Sequence, residues 1–160
     1  MIKVMGIRTA PSVVRYAILT KNEDGVIQFV NANGENKIDF PADCDNVTKK
    51  LPWLSREIQR IFRQNPEISH VIIKASEYGR GGESSSSREA AYYDSAVITQ
   101  AGLQLRPISV DVKIYRGLGN NVKRDTVKNI AEGHVGKTQK YWNEQIADAI
   151  VAALSFLGEI

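Results

Sequence analysis

The chain has 160 residues, 42% of them hydrophobic and 24% charged, which fits one ordinary domain spanning 1–160 with enough apolar content for a real core. No apolar run approaches the ~18 residues of a membrane span, so no membrane partner is expected. The start "MIKVMGIR" lacks the features of a signal peptide, and the lone cysteine, Cys44, excludes an intrachain disulfide; together these point to the cytoplasm. Net charge is +3, and the basic residues cluster: 105–128 carry six Lys or Arg against two Asp, and 46–66 carry five against one. Such clusters are solvated helix faces or phosphate contacts.

Three short apolar runs open the chain: "KVMGIR" (3–8), "RYAILT" (15–20) and "GVIQFV" (25–30). Pro11 and Ser12 break the first pair and "NEDG" (22–25) the second, which predicts an antiparallel meander. Residues 31–46 read as a loop with at most a short strand near Ile38. From Val47 the period changes: Val47, Leu51, Leu54, Ile58 and Ile61 alternate gaps of four and three, the stripe of an amphipathic helix. "HVIIKA" (70–75) suits a strand buried on both faces. A Gly/Ser loop, "EYGRGGESSSS" (77–87), leads to a helix that Ser86 and Glu89 would cap and Gly102 would end. "LQLRPI" reads as a short strand. "NNVKRDTVKNIAEG" reads as a helix started by Asn120 or Asn121 and stopped at Gly133. The last helix carries Ile146, Ala149, Ile150, Ala153, Leu154 and Leu157 on one face, with Gly158 after it. Hairpins first and crossovers later predict an α/β fold: a mixed five-stranded sheet, three antiparallel strands followed by parallel ones, with helices on both faces.

Three stretches in this order resemble the RuvC-type Holliday-junction resolvases of the ribonuclease-H-like superfamily. "GIRTAPSVVRYAIL" stands where that family has Gly-Ile-Asp, a short turn and a second strand. "VIIKASEYGRGGESSSSREAAYYDSAVITQAGLQLRPISVDVKIYRGLGNNVKRDTV" is similar to its strand ending in Glu, small-residue loop, helix, strand, Pro, Val-Lys segment and Gly-x-Gly turn. "NEQIADAIVAALSF" resembles its acidic helix start continuing Asp-Ala. Together they span nearly the whole chain, and the resemblance implies the ribonuclease-H-like architecture just described.

Nucleases of this kind hold two Mg²⁺ ions about 4 Å apart to stabilise the attacking and leaving oxygens of a phosphodiester. Mg²⁺ takes hard oxygen ligands, so the site is a cluster of carboxylates. Carried over position by position, the cluster is mostly missing. The first-strand Asp falls on Arg8, the strand-end Glu on Lys74 and the earlier helix Asp on Gln145; only Asp148 is kept. The resemblance therefore implies vestigial site positions at Arg8, Lys74, Gln145 and Asp148, no catalytic residue, no metal and no cofactor. Mg²⁺ would return only if nearby acids, among Glu77, Asp94, Asp111 and Glu144, rebuilt the centre; Asp94 is expected to face solvent and Glu144 to share a face with Asp148. Otherwise Asp148 is expected to pair with Arg8 or Lys74.

Other signals are weaker. "GHVGKT" (133–138) lacks the earlier glycine of a phosphate loop, its place being taken by Ala131. His70 and His134 have no second ligand at metal spacing. Cys44 lies in an acidic loop without a base. Tyr92, Tyr93, Tyr141 and Trp142 suit a core or interface, or stacking on bases. The leading expectation is a catalytically degenerate domain that binds DNA or RNA through Lys113, Arg116, Lys123 and Arg124. A dimeric protein-interaction module without nucleic acid is the alternative, and an active nuclease using relocated acids the second.

Overall fold

The computed structural model describes residues 1–77, 81–137 and 143–160. The opening hairpin joins β1 (Ile2–Thr9) to β2 (Val13–Lys21) in antiparallel register from Ile2↔Lys21 to Thr9↔Val14. The far edge of β2 is shared by two short antiparallel strands. β3 (Ile27–Phe29) pairs at Leu19↔Phe29, and β4 (Lys37–Asp39) at Val14↔Ile38. Helix α1 (Val47–Gln64) crosses to β5 (His70–Lys74), parallel to β1. Helix α2 (Ser85–Gly102) crosses to β6 (Ser109–Lys113), parallel to β5. Then come α3 (Tyr115–Leu118), α4 (Val127–Val135) and α5 (Glu144–Phe156). The sheet runs β3-β2-β1-β5-β6, with β4 as a sixth strand beside β2. The expected mixed sheet is present, enlarged by the strand around Ile38.

Both faces of the sheet are covered, which is why β1 and β5 read as continuous apolar runs. Met5, Ile7, Val71 and Ile73 pack with Leu54, Ile58 and Phe62 of α1 and with Tyr93 and Val97 of α2. Val4, Ala17, Leu19 and Ile72 pack on the opposite side with α5 and with Val127 and Ala131 of α4. Every residue of α5 from Ile146 to Leu154 is buried, and each large apolar side chain so buried contributes about 1.5–3 kcal/mol. The approach is closest at Gly6, where a Cβ would stand 1.8 Å from the Ala149 carbonyl oxygen. Only a glycine lets α5 lie this near the backbone of β1.

Several local boundaries differ from the sequence reading. "LQLRPI" is not a strand: Leu105 is fully exposed, Pro107 has no N–H for a ladder, and Arg106 donates to the carbonyls of Phe62 and Asn65 at the end of α1. The strand starts just beyond, as β6. Helix α2 begins one turn's fraction earlier than Ser86–Glu89 spacing suggested. Ser84 is the cap and exchanges hydrogen bonds with Ser87, while Glu89 meets Lys50 and the Tyr93 hydroxyl. Neither Asn120 nor Asn121 starts α4, which runs from Val127, and Gly136 rather than Gly133 follows its end. In the intervening segment, the Thr126 hydroxyl is tied to Asn121 and Lys123 backbone groups. Tyr141, Trp142 and Thr138 lie outside the described residues, as do 78–80 of the Gly/Ser loop. Among the described residues no helix is long and apolar enough to cross a membrane.

Candidate functional site

The carboxyl ends of β1 and β5 bring Arg8 and Lys74 side by side, one step beyond the paired Ile7 and Ile73. The first turns of α5 set Glu144, Gln145 and Asp148 over them. Tyr115, Glu77 and Arg124 complete a cleft of about 350 Å³. All four positions carried over from the resemblance therefore converge.

Arg8 Nε donates to Asp148 Oδ2 at 3.1 Å. The pair is joined by this single contact, not a bidentate one, and the Arg8 Nη1 group is engaged with the Thr9 carbonyl and Ser76 Oγ, each at 2.9 Å. The other carboxylate oxygen, Oδ1, accepts from the Tyr115 hydroxyl at 2.7 Å. Asp148 is almost wholly enclosed, its side chain 2% exposed against 18% for Arg8. Burial pushes its carboxyl above the usual range; the Tyr115 hydrogen bond and the nearby Arg8 and Lys74 charges pull the other way without overcoming it. The Tyr115 phenol is pushed up, first by burial and then by Asp148.

Lys74 is equally enclosed. Its Nζ meets Glu77 Oε2 at 3.0 Å and the Ala75 carbonyl at 2.6 Å, and lies 3.9 Å from the centre of the Tyr115 ring. Burial lowers its pKa, which Glu77 opposes. Glu144 pairs with Arg124 at 3.1 Å. Each of the three acids lining the cleft is thus tied to its own basic side chain.

This donor set does not fit a pair of Mg²⁺ ions. Both oxygens of Asp148 are already engaged, and the basic side chains of Arg8 and Lys74 stand beside it. Among the described residues no group of three His, Cys, Asp or Glu is placed to share a metal.

Asp94 corrects an expectation: it does not face solvent. It is buried on the opposite side of β1, accepting from Thr9 Oγ1 at 2.5 Å. Its place in the sequence, four after Ala90 and three before Val97, is on the inward stripe of α2. Burial raises its pKa to about 6. Asp111 is exposed on β6, away from the cleft lining.

The sequence missed Tyr115. Its hydroxyl and ring bind Asp148 and Lys74 at once; the available signal was an aromatic with a polar tip immediately after a strand. Of the basic stretch, only Arg124 lines the cleft, while Arg116 and Lys123 are exposed outside it and Lys113 pairs in register with Lys74. His70 stacks on Phe156 with ring centres 4.0 Å apart, a packing role. Tyr93 is core and Tyr92 is exposed. The glycine–lysine of "GHVGKT" follows the carboxyl end of α4, where a helix repels phosphate.

The order of strands, the crossovers and the α5 contact define a RuvC-like fold of the ribonuclease-H-like class. The chain is similar to Thermus thermophilus RuvC (TM-score 0.72, 13% identity, 96% of this chain and 92% of that one) and to T. thermophilus RuvC in complex with Holliday junction substrate (0.74, 11%, 99% and 98%). It is also similar to the fowlpox virus resolvase in complex with substrate Holliday junction DNA (0.59, 14%, 98% and 97%). At these identities the likeness is one of fold. No protein-family model matches the sequence, and no curated protein does.

Proposed function

We propose that this protein is a RuvC-like domain that binds nucleic acid without hydrolysing it. One observation carries the reading: in the cleft where the resemblance implies a carboxylate cluster, every acid is paired to a basic side chain. Arg8 and Lys74 take over the charge that divalent ions supply elsewhere, and Asp148, held by Arg8 and Tyr115, anchors α5 to the sheet. The fold of two solved resolvases seen with Holliday junction DNA supports a nucleic-acid ligand, and the exposed Arg116 and Lys123 suit phosphates, which position a duplex without reading its sequence. The activity needs no cofactor, and the single cysteine suits the cytoplasm.

The test is a pair of assays on the whole chain with four-way junctions, duplexes and DNA–RNA hybrids. Anisotropy should show weak, sequence-independent binding that falls steeply with salt. Incubation with Mg²⁺ or Mn²⁺ should leave every substrate intact. Metal-dependent cleavage abolished by Asp148→Ala would establish the relocated-acid enzyme instead.

A second reading has its own observation. The outward face of α2 bears no charge between Ala90 and Gly102, and Tyr92 and Ile98 are exposed on it, followed by Leu103 and Leu105. Such a face suits contact with a second copy of the chain. Sedimentation equilibrium reads this directly: a monomer at all concentrations, or a dimer unchanged by Ile98→Glu, removes it.

A further inference from the structure

We propose that a row of five basic residues crossing one face of the sheet, Lys37, Arg15, Arg8, Lys74 and Lys113, makes a positive track on which Arg15 and Lys113, the members without an ion pair among the described residues, hold the sugar–phosphate backbone of duplex DNA. The proposal rests on the nucleic-acid-binding reading and assigns it a surface. The row follows from strand register. Lys37 of β4 is opposite Arg15 of β2, and Arg15 is opposite Arg8 of β1. Lys74 stands next to Arg8 in the parallel pair, one step past Ile7↔Ile73, and is itself opposite Lys113 of β6.

Directly opposed residues share a face. Their sequence neighbours Ile38, Val14, Ile7 and Ile73 all point into the core beneath α1 and α2, so the five basic residues stand on the other side, the one α5 packs against. Helix α5 covers that side over Gly6, and its first turns reach the row at Asp148. The row therefore runs along the rim where the helix begins. With strands about 4.8 Å apart, it spans about 19 Å. Successive phosphates of one DNA strand rise about 3.4 Å along the duplex axis, so this length meets several of them.

Like charges directly opposed across a sheet are destabilising, and this row makes four such neighbourings. Acids answer only part of it: Asp39 meets Lys37 at 3.1 Å, Asp148 meets Arg8 at 3.1 Å and Glu77 meets Lys74 at 3.0 Å. Among the described residues Arg15 and Lys113 have no ion-pair partner. Arg15 Nε is also buried without a hydrogen-bond acceptor. Asp111, two residues before Lys113 on the same face of β6, is exposed and makes no ion pair with it. The two surplus cations flank the cleft holding Arg8 and Lys74, one on each side. The planar fork of a guanidinium fits the multiple acceptor oxygens of a phosphate.

The test measures anisotropy of a short labelled DNA duplex across a salt series. The double variant Arg15→Gln/Lys113→Gln should lower the log–log salt slope by about 1.8, since each phosphate contact contributes about 0.9. Lys113→Gln alone should lower it by about 0.9 and serves if the double variant does not melt cooperatively. Without DNA and at low salt, the double variant should melt at or above the wild-type temperature, because it removes repulsion. Wild-type binding with an unchanged slope in both variants overturns the track and leaves the binding reading standing. Absence of wild-type binding at low salt overturns both.

Discussion

Removing the Arg8 charge while keeping its stem, as in Arg8→Met, should destabilise the protein by about 3 kcal/mol. At the 3.1 Å separation of the Arg8–Asp148 contact, an effective dielectric near 20 gives roughly 5 kcal/mol of attraction before desolvation. Breaking a buried pair from one side leaves an uncompensated charge, at about 3–5 kcal/mol. The lower end applies because the Tyr115 hydroxyl still donates to Asp148 and Lys74 remains nearby. Asp148→Asn is a milder change. It removes a carboxylate that burial already disfavours, keeps an acceptor for Tyr115, and leaves Arg8 with Thr9 and Ser76. Its cost should not exceed about 2 kcal/mol, the low range for a hydrogen bond to a charged group. Since the buried charge is absent in the double variant, its loss should fall short of the sum by about 2 kcal/mol, a coupling expected of residues in contact. For a chain of this length each kcal/mol is about 2–4 °C in Tm, so thermal denaturation by circular dichroism at pH 7 resolves the cycle. Strictly additive losses would show that Arg8 and Asp148 do not interact, and the charge-substitution account of the cleft would be dropped.

Asp94 sets a pH dependence of its own. Its pKa is raised from 3.8 to about 6 in the fold, so the native state holds a proton that the unfolded chain releases, and stability falls as pH rises between those values. The full span corresponds to about 3 kcal/mol. Asp94→Asn should therefore raise Tm at pH 7.5 and lose that advantage at pH 4; an equal effect at both pH values would refute it. Gly6→Ala should abolish or severely impair folding, read as loss of a cooperative melt, because its Cβ would lie 1.8 Å from the Ala149 carbonyl oxygen. Arg8→Asp should not restore metal-dependent cleavage of junctions, since Lys74 and Gln145 still line the cleft; any cleavage by that variant would count against the reading. Lys123→Ala/Arg124→Ala should reduce the salt slope of DNA binding by about 0.9 rather than twice that, because Arg124 is already neutralised by Glu144 at 3.1 Å.

Local patterns in the sequence determined much of this protein. Alternation and turn residues marked the opening hairpin, a four-and-three spacing marked α1, and continuous apolar runs marked strands covered on both faces. Those signals are local, because backbone geometry imposes period 2 or 3.6 on any segment with a buried side. The grouping of Arg8, Lys74, Gln145 and Asp148 was also legible, since it needs only motifs taken in order, and the four line one cleft. Boundaries set by competing partners were not legible. Ser84 rather than Ser86 caps α2, and Pro107 with Arg106 moves the strand onward to Ser109, because contacts with other elements choose among several adequate local signals. Tertiary structure alone decided that Asp94 turns inward to Thr9, that Tyr115 bridges Asp148 and Lys74, and that five basic residues from five strands fall into one row. Strand register places residues such as Lys37 and Lys113, far apart in the chain, along a line about 19 Å long, and no spacing within a single segment encodes that alignment.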